Sequence, residues 1–332
     1  MAKSQIEEHL TKERIKPKFF YHMGAPINKI DSKEKEIFEK CLFWAIIIAS
    51  QTNITNGLSF SDVHNLYCKI KSQNPILPEE QNRNFFVLPE SYAAVVTYLN
   101  SHKAKQCQYS IIDIGASTTD ISVFWYNSEQ GIAYFYYGET YHIGCNDIDK
   151  ETLEELQIYP HNNEDILFKI QQARHFLYNN KEDTKVKLFE KDIEKSHIEQ
   201  NSKKVGIKIR KKFLRTIRLA WEKEQRLWPN LNVFIIGGGS RIKEISDYLT
   251  IPLDKDANWQ TMANPFQDTK LTFGKIEPFN EKIEEQDLLC IAAGLSIHLR
   301  KWVKYFPPST VEPIIPVVKK FDVYERSRDY DG

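Results

Sequence analysis

An α/β fold is predicted by three stretches of the sequence. Tyr109 to Tyr126, YSIIDIGASTTDISVFWY, sets two apolar, β-branched runs (Ser110 to Ile112 and Ile121 to Trp125) on either side of a short Gly, Ser and Thr segment. That pattern predicts strand, tight turn, strand. Val233 to Leu249, VFIIGGGSRIKEISDYL, predicts a buried strand, a glycine turn and a helix, with Ser240 as N-cap. Between them, Gly131 to Ile143, GIAYFYYGETYHI, predicts an aromatic third strand, followed by a helix from about Asp147.

The remaining elements follow in chain order. The N-terminus, MAKSQIEEHLTKERIKPKFF, is charged from the start and has no apolar signal core. Phe19 to Pro26 predicts a strand. Asp31, with Glu34 three residues on, predicts a capped helix through the apolar run Cys41 to Ala49, which is about half the length needed to span a bilayer. A second helix is expected over Ser61 to Lys71. Glu164 to Asn180 reads as an amphipathic helix, and the charged stretch Lys181 to Lys204 as an exposed hairpin and helix. Val205 to Leu227 spaces Ile209, Phe213, Ile217, Ala220 and Trp221 on one helical face, and Pro229 ends it. Its other face carries Lys208, Lys211, Lys212, Arg215 and Arg218, read as a solvated face. Thr250 to Glu284 reads as irregular, and the end of the chain as a Pro-rich tail.

Bulk properties narrow the function. The chain has 332 residues, with 45 basic and 45 acidic side chains that cancel. No net field favours nucleic acid or membrane as the main partner. The five cysteines lack C-x-x-C spacing, which fits reduced thiols in a cytoplasmic protein.

The hairpin tip carries the chemistry. Antiparallel pairing brings Asp113 and Asp120 to one mouth. Gly115 admits a ligand to the backbone, and the amides and hydroxyls at Ala116, Ser117, Thr118 and Thr119 are candidate donors to anionic oxygens. Two carboxylates beside phosphate donors suit a hydrated Mg²⁺, which keeps several waters and takes few protein ligands. The turn Gly237, Gly238, Gly239, Ser240, Arg241 is neither a G-x-G-x-x-G fingerprint nor a P-loop.

In this order, DIGASTTD resembles the second phosphate motif and FIIGGGSRI the adenosine motif of the actin-like ATPase superfamily, closest to the heat shock protein 70 chaperones. LPESYAAVV (Leu88 to Val96), HIGCNDID (His142 to Asp149) and DLLCIAAGLSI (Asp287 to Ile297) resemble further segments of that family. The resemblance implies a ribonuclease-H-like (actin-like ATPase) fold, with one lobe complete and the other N-terminally truncated. Residues 1–104 would be a remnant of the first lobe, 105–299 the second lobe with the nucleotide motifs, and 300–332 a tail.

It implies ATP with Mg²⁺ as cofactors, Asp113 and Asp120 holding the metal through water, and Glu90 orienting the attacking water. The alternative for Glu90 is an acid at a helix N-terminus. Matched by position, Arg174 stands where the family has an adenosine-side lysine, Gln171 its glutamate and Tyr178 its serine. The family's first phosphate motif, D-x-G-T, is not found in this sequence, so hydrolysis is expected only if a missing N-terminal segment is supplied. Partners implied are nucleotide, a co-chaperone or self-assembly. A different class of function is a non-catalytic scaffold or filament subunit, such as a plasmid-segregation protein. Ala116 and Ser117 replace family glycines, at an expected cost of about 1 kcal/mol each if those positions need positive φ.

Overall fold

The computed structural model describes residues 20–51, 59–73, 84–158, 164–180, 182–188, 190–224, 228, 230–252, 270–276, 286–297 and 303–311. The chain divides into two compact units, residues 1–104 with 275–303 and residues 105–274 with 304–332.

In the first unit, β1 (Tyr21–Ala25) pairs in parallel with β2 (Phe85–Pro89). A single turn, α1 (Ile27–Ile30), leads to α2 (Lys35–Gln51), and α3 (Phe60–Ser72) follows. The cap expected from Asp31 and Glu34 does not form. Asp31 instead ends α1, and Ser32 Oγ accepts from the Glu34 amide at 3.1 Å. Serine wins because Asp31 is already inside the preceding turn. Helix α3 does carry a capping box, made by Ser59 and Asp62. Helix α4 (Glu90–Leu99) is buried nearly throughout. It packs against α9 (Gln286–Leu295) so closely that a Cβ on Gly294 would lie 1.7 Å from the Ala93 carbonyl oxygen. Helix α9, grouped by its sequence with residues 105–299, thus belongs to this unit.

The second unit holds a six-stranded sheet, with β3 (Cys107–Ile114), β4 (Thr119–Asn127) and β5 (Ile132–Tyr141) as an antiparallel meander. Strand β8 (Asn230–Ile236) lies parallel to β3, and β9 (Lys270–Gly274) continues the sheet beyond β8. At the other edge β10 (Lys304–Phe306) runs parallel to β5. Neither edge strand was expected, since each falls in a stretch read as irregular or as tail. Helix α5 (Cys145–Glu155) completes the expected strand, strand, strand, helix unit.

One sheet face packs Ile112, Ile114, Ile121 and Val123 into the main core with α5, α6 (Glu164–Asn179) and α7 (Lys195–Glu224). The other carries Phe234, Tyr109, Phe124 and Phe135, stacked ring on ring across β8, β3, β4 and β5. Such cross-strand aromatic pairs fix register.

Helix α7 joins the helix expected within Lys181 to Lys204 to the one expected from Val205, and starts directly after the expected hairpin, β6 (Lys185–Leu188) and β7 (Lys191–Glu194). Its charged first turns are helical because α5 supplies partners. Lys204 meets Glu155 at 2.6 Å and Lys208 meets Glu151 at 2.5 Å, so part of the basic face is paired. Helix α8 (Lys243–Leu249) is held at its C-terminus by the buried Arg210, which donates to the carbonyls of Tyr248, Leu249 and Pro252. A guanidinium there satisfies end carbonyls and suits the helix dipole. Tyr178 ties α6 to both neighbours, through Ser202 Oγ at 3.0 Å and Glu244 Oε2 at 2.9 Å.

Candidate functional site

The site begins with strand register. Asp113 lies directly opposite Asp120 in the β3–β4 ladder and beside Ile236 in the β3–β8 ladder. Opposite residues share a face, so the two carboxylates stand together where parallel β3 and β8 both end. The crevice outside the carboxyl ends of parallel strands is the usual ligand position in open α/β sheets.

The turn between the acids is docked on a helix start. Gly115 and Ala116 carbonyls accept from the amides of Cys145 (3.1 Å) and Asn146 (2.7 Å), the first two residues of α5. Gly144 is required for this approach, since a Cβ there would lie 2.5 Å from the Ala116 oxygen. Its amide donates to Asp147 Oδ2 at 2.9 Å, so Asp147 caps the helix.

The docking sets the polarity of the turn. In a trans peptide the N–H points opposite to the preceding C=O. With the Gly115 and Ala116 carbonyls aimed at α5, the Ala116 and Ser117 amides point away from it. Among the described residues, the amides of Ala116, Ser117 and Thr118 meet no protein acceptor. Both Ala116 and Ser117 are exposed. The non-glycine residues at positive φ among those described are Gln157 and Glu190, so Ala116 and Ser117 carry no left-handed strain.

The glycine turn comes directly against this hairpin. Gly237 has φ 79°, and a Cβ on it would lie 2.3 Å from Asp113 Oδ1. Gly239 is buried against Ile114 and Cys145, whereas Gly238 is exposed with open space around it. Residues Gly238–Arg241 form a single 3-10 turn, and Ile242 occupies the N-cap of α8. Ser240 therefore does not cap the helix. Its hydroxyl donates back to the Gly237 carbonyl at 2.7 Å, while Arg241 is exposed.

Other expected residues take different partners. Thr119 is buried and its hydroxyl donates to the Ile143 carbonyl at 2.7 Å, because β4 starts one residue before Asp120 and turns this side chain inward. Arg174 makes a two-pronged pair with the buried Asp149, Nε to Oδ1 at 2.8 Å and Nη2 to Oδ2 at 3.2 Å. Glu90 lies in the first unit, at the start of α4 and against Gly24. Sequence reasoning passed over Asn146, whose side chain joins Ser117 to Gln171. The signal was a polar residue in the first turn of a glycine-led helix. A groove of about 660 Å³ runs along α6, lined by Gln171, Arg174, His175, Phe176 and Asn179 among others.

Burial pushes the Asp120 carboxyl above the ordinary carboxylate range, against a hydrogen bond from Thr140 that favours the ionised form. Among the described residues no group of three or more His, Cys, Asp or Glu could hold a metal ion. Two acids flanking free amides fit a hydrated Mg²⁺ bridged to phosphate, which needs few protein carboxylates. A raised pKa means that ionised Asp120 costs stability, so its favourable contribution is present at low pH and lost as pH rises through that value. Asp120→Asn is expected to raise the melting temperature of the ligand-free protein at neutral pH and flatten its decline from acid to neutral pH. A lowered melting temperature would contradict that reading.

Among the described residues no helix is long and apolar enough to cross a membrane. No family model and no curated protein matches the chain. Among solved structures it is similar to a non-polymerisable quadruple mutant of pCBH ParM, at 18% identity, covering 66% of this chain and 55% of that one, with TM-score 0.41. It is also similar to Ta0583, an archaeal actin homolog, at 16% identity, covering 64% and 54% respectively, with TM-score 0.39. The chain spans about half the length of these structures.

Proposed function

We propose that the second unit binds a nucleotide phosphate chain, ATP with Mg²⁺, as an actin-like nucleotide-binding module related to the heat shock protein 70 branch. The observation that carries this reading is the docked turn, where two carbonyls are spent on α5 and the amides of Ala116 and Ser117 are thereby turned outward beside Asp113 and Asp120. Anions are favoured at such backbone concavities. The order of the four motifs from Leu88 to Ile242 supports the superfamily.

The residues that would hold the ligand are Gly115 to Thr118 at the phosphates, Gly237 to Ser240 alongside, and Asp113 and Asp120 through metal-bound water. Mg²⁺ would neutralise phosphate charge that two carboxylates otherwise repel. The α6 groove offers exposed Phe176 and the Asn179 carboxamide to the rest of the ligand. Binding, and not turnover, is the activity proposed for this chain.

A thermal melt with and without Mg-ATP tests it. Ligand at 100 times its Kd is expected to add about 2.7 kcal/mol of stability. An unchanged midpoint at millimolar Mg-ATP would refute the proposal. Light scattering in the same samples decides whether binding drives assembly into a scaffold or filament.

A further inference from the structure

Ser117 Oγ carries one hydrogen and can accept others. Asn146 Nδ2 donates to it at 3.1 Å, and Asn146 Oδ1 in turn accepts from Gln171 Nε2 at 3.0 Å. The three side chains come from the turn, α5 and α6, and every hydrogen bond runs in the same direction, toward the turn. With a lone pair of Ser117 Oγ occupied by the carboxamide, its own hydrogen is left for an acceptor other than Asn146.

We propose that Gln171, Asn146 and Ser117 form a donor relay that presents the Ser117 hydroxyl hydrogen to an anionic oxygen held at the turn, making Asn146 and Gln171 positioning residues for that ligand. This rests on the anion-binding reading of the turn given above. An isolated exposed serine hydroxyl rotates among several wells and shares its hydrogen with water. Here the carboxamide of Asn146 decides its direction, and Gln171 decides which end of that carboxamide faces the serine. Aligned hydrogen bonds polarise one another, so the terminal donor is strengthened.

The spacing is set from below. Arg174 lies one turn beyond Gln171 on α6, and its pair with Asp149 fixes α6 against α5. The backbone docking is separate from the relay, because Asn146 uses its amide, not its side chain, to hold the Ala116 carbonyl.

Gln171→Glu discriminates between this role and simple packing. A carboxylate cannot donate to Asn146 Oδ1. It accepts from Asn146 Nδ2, turns the carboxamide over, and leaves Asn146 Oδ1 facing the serine. The Ser117 hydroxyl then donates to Asn146 and is lost to the ligand.

The experiment is a calorimetric titration of the wild type, Ser117→Ala, Gln171→Glu and the double variant with Mg-ATP and with Mg-tripolyphosphate. Each single variant is expected to weaken both ligands by about tenfold, the range for one hydrogen bond to a charged group. In the Ser117→Ala background Gln171→Glu is expected to cost nothing more. Losses that multiply would overturn the relay, since plain repulsion by the new carboxylate acts whether or not Ser117 is present. Wild-type affinity in Ser117→Ala would also overturn it. A wild-type protein that binds neither ligand would bring down the relay and the anion reading together. Ser117 is exposed, so its variant is expected to fold, and matched melting temperatures of the ligand-free proteins verify this.

Discussion

Arg174→Leu is expected to destabilise the protein by about 3–5 kcal/mol at neutral pH, the loss typical of orphaning one member of a buried ion pair. Asp149 is 1% exposed and Arg174 16%, and the guanidinium engages both carboxylate oxygens. Burial is the largest influence on the Asp149 carboxyl and pushes it above the ordinary range, while Arg174 pulls it back and Asp147 adds to the rise. Without Arg174 only the two raising influences remain among those named. The folded-state pKa then climbs further above the unfolded one, and the ionised carboxylate is penalised at every pH above it.

The sign of the pH dependence follows from linkage. Stability tied to a raised carboxyl pKa is present below the unfolded value and lost as pH rises through the folded one. The deficit of Arg174→Leu is therefore expected to be largest near neutrality and to shrink as the medium is acidified toward Asp149's ordinary range. Urea unfolding at two pH values measures it. Replacing both residues by leucine is expected to recover much of the loss, since apolar substitutes for a buried pair are often neutral. A deficit that grows on acidification would contradict the assignment.

Gly237→Ala is expected to cost roughly 2–4 kcal/mol, combining the left-handed backbone penalty with overpacking. At φ 79° an alanine methyl would sit 2.3 Å from Asp113 Oδ1 and 2.6 Å from the Ile114 carbonyl oxygen, in backbone that cannot move without opening the β3–β8 end of the sheet. Gly238→Ala, one residue on, meets nothing within 4 Å and is expected to change stability by less than about 0.5 kcal/mol. The contrast between adjacent glycines is the informative quantity, because both substitutions alter the unfolded chain alike. Denaturant midpoints with an unchanged m-value read it directly. Equal losses at the two positions would mean that the turn is not seated on Asp113.

What could be read from sequence was local. The alternation in β3 and β4 fixed which residues pair, so the meeting of Asp113 with Asp120 followed from period-two patterning. Gly237 to Gly239 advertised a turn after an apolar strand. What escaped was partnership between distant segments. Arg174 was matched to an adenosine-side lysine because nothing near it announces Asp149, 25 residues back. The charged stretch to Lys204 was read as an exposed hairpin and helix, but nothing in it announces Glu155 of α5, which Lys204 meets at 2.6 Å. Thr119 looked like a free donor because the extra residue of β4 that buries it depends on pairing with β5. Strands β9 and β10 are short edge strands in Pro-bearing stretches, where the sheet, not propensity, decides conformation.

The docked turn likewise has no local signature. Its outward amides depend on two carbonyls meeting a helix start about 30 residues later, made possible by the missing side chain of Gly144.

Residue-resolved amide spectra of the nitrogen-15-labelled protein, recorded while Mg-ATP is added, test the outward turn most directly. The Ala116 and Ser117 amide signals are expected to move downfield and become protected from exchange, with Cys145 and Asn146, already bonded to the turn's carbonyls, moving little. Saturating ligand that leaves the Ala116 and Ser117 amides unshifted and freely exchanging, while perturbing signals elsewhere, would contradict it.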